Sequence, residues 1–293
     1  MILLHSWWIF SRERFPIFVQ GPMIFLFVAT NYQVSNVYFQ QKWNYLTFCV
    51  LAMLGLMFFF RLRCFDELKD YDVDLKVNPE RPLARGLLSK QAVKTMIALL
   101  VAVESILAAS FFGWQAFLGY LLPLSYSLLM YEEFFIGHWL APRLTSYAVT
   151  HTFVACLLGL GLCYITHPFA TPIVWQQALG LALYNWFQFN IFEFARKTFA
   201  SKEEKPNHDS YTSLFGPTKA VLLTLSQVVL SGLLVKTLDI QIMFYAYAAV
   251  GIFLSVPGLF FIVRKNIHSA RIFRTCASIY LVAAYAVVLI FIK

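Results

Sequence analysis

The stretch Arg61–Ser89 reads RLRCFDELKDYDVDLKVNPERPLARGLLS and holds the densest set of reactive side chains in the chain. On a helix turning about 100° per residue, Glu67, Asp70 and Asp74 lie at i, i+3 and i+7 and share one face. Asp66 flanks that face, Arg63 joins it one turn earlier, and Asp72 points the opposite way. Carboxylates this close repel one another, more so beside a membrane. A divalent cation removes the repulsion. Mg²⁺ suits the task, because it takes a few carboxylates, keeps waters and completes its shell with phosphate oxygens. Arg81 and Arg85, just downstream, are placed to hold the same phosphates. Pro79 disfavours helical geometry at Asn78, so the acid-bearing helix is expected to end there. A plain hydrated loop is the alternative, and the spacing ahead of an Asn-Pro-x-Arg-Pro turn weighs against it.

A second group follows in NWFQFNIFEFARKTFASKEEKPNHDSYTSLFG. Asn190, Glu193 and Lys197 share a helix face by the same spacing. Glu193 falls at the edge of an apolar run, and an ionisable group there is a functional candidate by default. Its plainer reading is an interfacial acid paired with Arg196 or Lys197. Glu203, Glu204 and Asp209 read as solvated surface, and His208–Tyr211 as an ordinary loop rather than a lid. Two acid-bearing helix ends on one side suggest a two-sided cage for a metal and a diphosphate, with an apolar bundle beneath for a hydrocarbon tail.

The elements that must position these groups are membrane helices. The 293 residues are 60% hydrophobic and 18% aromatic, with only 13% charged, against about a quarter charged in soluble domains. Apolar runs predict nine spans: Pro16–Tyr32, Tyr45–Arg63, Val93–Phe112, Phe117–Tyr131, Leu144–Ile165, Ile173–Glu193, Ala220–Val235, Ile240–Val263 and Phe273–Phe291. With the N-terminus in the cytoplasm, twenty of the 23 Lys and Arg residues, Arg61 among them, fall on the cytoplasmic side. Only Lys42, Lys236 and Lys293 fall on the other. The positive-inside rule therefore supports nine helices, N-terminus in and C-terminus out. The fold class expected is an all-α integral membrane protein, one transmembrane domain over residues 1–293.

The net charge of +8 is an orientation signal, since the basic residues sit in short loops and form no exposed face for nucleic acid. The five cysteines show neither a CxxC pair nor a Cys/His metal spacing, and read as small buried apolar residues. No cleavable signal pattern is expected, because Arg12, Glu13 and Arg14 follow Trp7, Trp8 and Phe10 without a small-residue cleavage site. Short loops and no transit-peptide pattern favour a prokaryotic cytoplasmic membrane, with the reactive groups opening on the cytoplasmic side.

These residues resemble the UbiA superfamily of intramembrane prenyltransferases. That family carries Asn-Asp-x-x-Asp-x-x-x-Asp after its second helix, then Arg-Pro-Leu-x-x-Gly. Here the matching positions are Asp66-Glu67-x-x-Asp70-x-x-x-Asp74 and Arg81-Pro82-Leu83-x-x-Gly86. Two departures stand out: Asp-Glu replaces the opening Asn-Asp, and the second motif, aspartate-rich in the family, is reduced to Glu193 ahead of Arg196 and Lys197. The resemblance implies transfer of a prenyl group from an isoprenoid diphosphate to an aromatic or lipid acceptor within the bilayer, with two Mg²⁺ ions. It implies metal ligands among Asp66, Glu67, Asp70, Asp74 and Glu193. Diphosphate contacts would come from Arg14, Arg63, Arg81, Arg85, Asn190 and Lys197, with Asp70, Asp74, Arg81 and Lys197 as the catalytic set. Aromatic faces such as Tyr126, Tyr131 or Trp186 would steady an allylic cation. Phosphoribosyl transfer to a lipid, intramolecular terpene cyclisation and, less favoured, transport stay open at this point.

Overall fold

The computed structural model describes residues 2–168, 172–204, 210–236 and 240–292. They form twelve α-helices: α1 (Ile2–Arg14), α2 (Ile17–Tyr38), α3 (Tyr45–Lys69), α4 (Tyr71–Val77), α5 (Lys90–Phe112), α6 (Trp114–Tyr131), α7 (Gly137–Leu140), α8 (Leu144–Thr166), α9 (Pro172–Arg196), α10 (Tyr211–Lys236), α11 (Gln241–Arg264) and α12 (Ile267–Phe291). Among the described residues there is no strand, and 86% are helical.

Each expected span lies within or closely overlaps one long helix, and most helices run further than their apolar core. Local chemistry sets several ends. Asn44, Ser89 and Asn266 cap α3, α5 and α12 by accepting from the amides of Thr47, Ala92 and Ser269, each bond worth about 1 kcal/mol. Gly113 ends α5 at φ 89°, a conformation that a side chain opposes. Gly216 (φ 78°) followed by Pro217 kinks α10 where it leaves the polar loop.

Among the described residues, seven helices are both long and apolar enough to cross a membrane: α2, α3, α5, α8, α10, α11 and α12. α6 and α9 complete the nine long helices but are more polar. In α9 the reason is visible, since Asn185, Gln188 and Asn190 are buried among neighbouring helices instead of facing lipid. The nine long helices form a closed ring in chain order, with α12 returning to α2, and α9 also meets α12 across it. Apolar side chains cover the outside: Phe18 is 92% exposed and Val263 77%. That surface suits hydrocarbon and would be a gross aggregation liability in water. The protein is an integral membrane protein.

Ion pairs gather the charged segments at one end of the ring. Arg14 and Glu13 of α1 reach Glu67 and Arg85. Lys69 meets Glu133 in the loop after α6 at 3.1 Å, and Arg274 of α12 meets Glu203 in the loop after α9 at 2.7 Å. The cysteines meet expectation only in part: Cys64, Cys156 and Cys163 are buried, Cys276 is half-buried and Cys49 faces outward. Arg61, counted above with the loop charges, lies inside the bundle at 0% exposure. It pairs there with Glu104 of α5 and donates to Ser127 of α6 at 2.6 Å.

Candidate active site at the charged end of the bundle

The site begins with two phenyl rings. Phe59 of α3 and Phe189 of α9 stack at 5.7 Å and 13°, and Phe27 of α2 stands edge-on to both. Seven residues above Phe59 on the same face of α3 comes Asp66, and four above Phe189 on α9 comes Glu193. Both acid-bearing helix ends therefore rise from one aromatic floor.

The helix through the first motif has a joint. α3 ends at Lys69, Asp70 links it to α4 at φ −80° and ψ −4°, and α4 ends at Asn78 as Pro79 requires. The Asp74 amide still bonds the Asp70 carbonyl at 2.8 Å, so the path stays helical. The acids nonetheless find different partners. Glu67 is 1% exposed and paired with Arg14, and its Oε2 has no hydrogen-bond partner. Asp74, also buried, accepts from Arg81 at 2.6 Å and from Asn78 at 2.9 Å. Asp70 is exposed and lies 3.5 Å from Arg81. Asp66 is exposed and takes Arg63 at 3.1 Å. Asp72 faces solvent, 3.7 Å from Lys90.

The cations expected on a diphosphate thus sit on these carboxylates. Arg85 holds Glu13 at 2.8 and 3.0 Å and the Glu80 carbonyl at 2.6 Å. Partial burial pulls the Arg81 guanidinium down, but the Asp74 hydrogen bond and the charges of Asp74, Asp70 and Glu67 outweigh it and hold Arg81 above its ordinary value. The Glu13 hydrogen bonds raise Arg85 in the same direction.

On α9, Glu193 accepts from Arg196 and lies 3.2 Å from Lys197. Asn190 does not join them: it is buried, accepts from Thr152 of α8 and donates to Gln227 of α10 at 3.2 Å, stitching three helices together. Glu203 and Glu204 are tethers, contrary to the surface reading. Glu203 binds Arg274, and Glu204 accepts from Ser210 at 2.6 Å. Burial raises the Glu203 carboxyl, but the Arg274 hydrogen bonds overcome this and leave it below the usual carboxylate range. Tyr211 is buried against Phe194; His208 and Asp209 lie outside the described residues. Of the expected aromatics, Tyr126 meets Phe134 and Phe153, Trp186 meets Phe153, and Tyr131 meets Phe65.

Sequence reasoning missed two polar clusters. One is Arg61–Glu104, signalled only by a lone acid in an apolar helix. The other joins Lys69, Glu133, Tyr147 and His151 beside the motifs, and its members come from three distant segments.

An all-carboxylate donor set with an orphaned buried oxygen on Glu67 fits a hard cation. Among the described residues no three such ligands converge closely enough to hold an ion unaided.

Fold and site define a polytopic helical membrane protein with a carboxylate-rich polar end over an aromatic floor. The chain belongs to the UbiA prenyltransferase family, whose sequence profile matches residues 22–290. Members of this family are prenyltransferases that generally use Mg²⁺ with diphosphate substrates and act on lipid acceptors in membranes. Among solved structures, a digeranylgeranylglyceryl phosphate synthase superposes with a TM-score of 0.67 at 15% identity, covering 99% of each chain. A UbiA homolog from Aeropyrum pernix K1, solved in its apo form, gives 0.63 at 15% identity, covering 92% of this chain and 98% of that one. No curated protein matches the chain in sequence.

Proposed function

We propose that the protein transfers a prenyl group from an isoprenoid diphosphate to a hydrophobic aromatic or lipid acceptor, with Mg²⁺ bound at the charged end of the bundle. The observation that carries this is the pairing of two acid-bearing helix ends above the Phe59–Phe189 stack. Asp66, Glu67, Asp70 and Asp74 on one side and Glu193 on the other would hold the metal. Bound there, Mg²⁺ would supply charge neutralisation for the departing diphosphate.

The remaining work falls to the chain. Arg81, between Asp70 and Asp74, is placed to shift from carboxylate to diphosphate oxygens. Arg14 is placed to do the same from Glu67, and Lys197 from Glu193. Arg63 and Arg85 flank the entry. The site is charge-balanced before substrate arrives, so binding exchanges partners and leaves no buried charge alone. Phe59 and Phe189, backed by the fully buried Phe27, would meet the first carbons of the tail and exclude water from the ionising bond. Their faces favour an allylic cation by about 2 kcal/mol each when desolvated.

In this reading residues 1–293 form a single transmembrane domain whose nine long helices cross a prokaryotic cytoplasmic membrane. The N-terminus and the site lie on the cytoplasmic side. The division of Lys and Arg and the ion pairs at one end support that placement.

The test is transfer of label from ten-, fifteen- and twenty-carbon prenyl diphosphates into a lipid extract, with Mg²⁺, with EDTA, and with Asp70→Asn. Metal-dependent product that vanishes in the variant is the expected result. No product and no diphosphate release from any donor would sink the proposal.

A further inference from the structure

Beside the two acid motifs lies a polar cluster that the reaction above does not use. Lys69, the last residue of α3, is 17% exposed, and its ammonium meets three acceptors. These are the Tyr147 hydroxyl at 3.0 Å, Glu133 Oε1 at 3.1 Å and His151 Nε2 at 3.5 Å. The imidazole tautomer follows from its other nitrogen. His151 Nδ1 lies 2.7 Å from the Tyr147 carbonyl, which only accepts, so Nδ1 carries the proton and Nε2 turns its lone pair to Lys69. The Tyr147 hydroxyl in turn donates to Glu133 Oε1 at 3.3 Å. One carboxylate oxygen is thus gripped by an ammonium and a hydroxyl together.

The segment that delivers this carboxylate is strained. Glu133, Phe134 and Phe135 have φ of 49°, 55° and 57°, three successive left-handed residues that all carry side chains. Such a run is unfavourable for L-amino acids and persists only where its surroundings enforce it. The other Glu133 oxygen lies where a Cβ on Gly137 would come within 2.3 Å, so the turn is shaped around the carboxylate. An aromatic path leads inward from the cluster: Phe134 stands edge-on to His151, Tyr126 lies tilted against Phe134, Phe153 stands edge-on to Tyr126, and Trp186 edge-on to Phe153. Lys69 stands between Glu67 and Asp70 in the chain, which puts the cluster beside the first motif.

We infer that Lys69 and Tyr147 form a binding site for an anionic headgroup, carboxylate or phosphate, on the acceptor, and that Glu133 occupies it until the acceptor arrives. A ligand anion replaces the Glu133 carboxylate, the left-handed turn relaxes, and the apolar body of the ligand lies along the aromatic path. The assignment of the ligand as acceptor rests on the prenyl-transfer reading; the anion site itself does not.

Thermal unfolding of the purified protein, with octanoate, octyl phosphate or octanol, tests the site directly. Both anions should stabilise the wild type and octanol should not. Glu133→Gln should tighten the anions by about tenfold, and Lys69→Gln and Tyr147→Phe should weaken them by about as much. Arg81→Gln should leave octanoate binding intact. Equal stabilisation by octanol, anion binding indifferent to Lys69 and Tyr147, or loss in Arg81→Gln would each overturn the site. In the transfer assay octanoate should compete with the lipid extract; competition with the prenyl diphosphate instead would overturn the acceptor assignment. A chain that transfers nothing yet binds octanoate through Lys69 would refute the transfer reading and leave the anion site standing.

Discussion

Arg61 and Glu104 form a two-pronged ion pair at zero exposure inside the bundle, Nε to Oε1 at 3.0 Å and Nη2 to Oε2 at 2.9 Å. Tyr120 donates to the same carboxylate at 3.0 Å, and Phe58 and Phe65 lie within 4.7 and 5.5 Å of the guanidinium. The pair fixes the depth of α3 against α5 and α6, and so the height of the first motif above them. Loss of one partner leaves a buried charge and should cost about 3–5 kcal/mol, whereas an apolar pair of similar volume should cost much less. Thermal unfolding in detergent of Glu104→Gln, Arg61→Met and the double variant Arg61→Met/Glu104→Leu checks this. A double variant as unstable as the worse single would disprove the account.

Glu67 is buried with one oxygen unpartnered, which makes it the acid most dependent on a cation. Glu67→Gln should raise the Mg²⁺ concentration for half-maximal transfer by at least about tenfold, the size of effect that even outer-shell changes produce. Asp72→Asn, on an exposed acid facing solvent, should leave it unchanged. A metal titration of both variants separates the two.

The Phe59–Phe189 stack is expected to act on the donor. Phe189→Ala removes one ring of the floor and should raise the prenyl diphosphate KM, while Phe189→Leu keeps most of the apolar surface and most of the affinity. A KM equal to wild type in the alanine variant would remove the floor from the proposed mechanism.

Gly159 lets α8 approach α2 and α9. A Cβ there would come within 2.3 Å of Asn185 Nδ2 and 2.9 Å of Asn31 Oδ1. Those two amides hydrogen-bond at 2.8 Å, and Tyr285 donates to Asn185 at 3.0 Å. Gly159→Ala should therefore force this network apart and destabilise by about 1–3 kcal/mol. The loss should appear in the unfolding temperature.

The Glu203–Arg274 tether should depend on acid. The Glu203 carboxyl is held below its ordinary value of 4.5, so its contribution is complete above that pH and is lost as pH falls through the lower folded value. Glu203→Gln should flatten the acid limb of a stability–pH profile. An unchanged limb would show that the tether carries no such linkage.

How much of this was legible in the chain differs from residue to residue. Apolar run length located every long helix, because a lipid-facing segment must satisfy its own backbone and is long and apolar for that reason. The first motif was legible because its acids are close in sequence and helix periodicity is local. The Asn78 end of α4 followed from Pro79 alone. Glu193 with Arg196 and Lys197 was legible by the same local periodicity, but the pairings between distant segments were not. Arg61 reads like its neighbour Arg63, yet one lies in the core and the other at the rim, because only Arg61 faces Glu104 across a helix boundary. Asn190 shares spacing with Glu193, but its amide is taken by Thr152 and Gln227 of two other helices.

The sequence by itself determined an all-helical membrane bundle and the local order of its acids, since both follow from hydrophobicity and from angles along one helix. Only the tertiary structure decided that Glu67 is buried while Asp70 is exposed, that Arg14 rests on Glu67 and Arg85 on Glu13, and that Lys69 meets Glu133, Tyr147 and His151. Those contacts join segments tens of residues apart. Helix packing sets them, through the rotation and depth of each helix against its neighbours, which no local periodicity encodes.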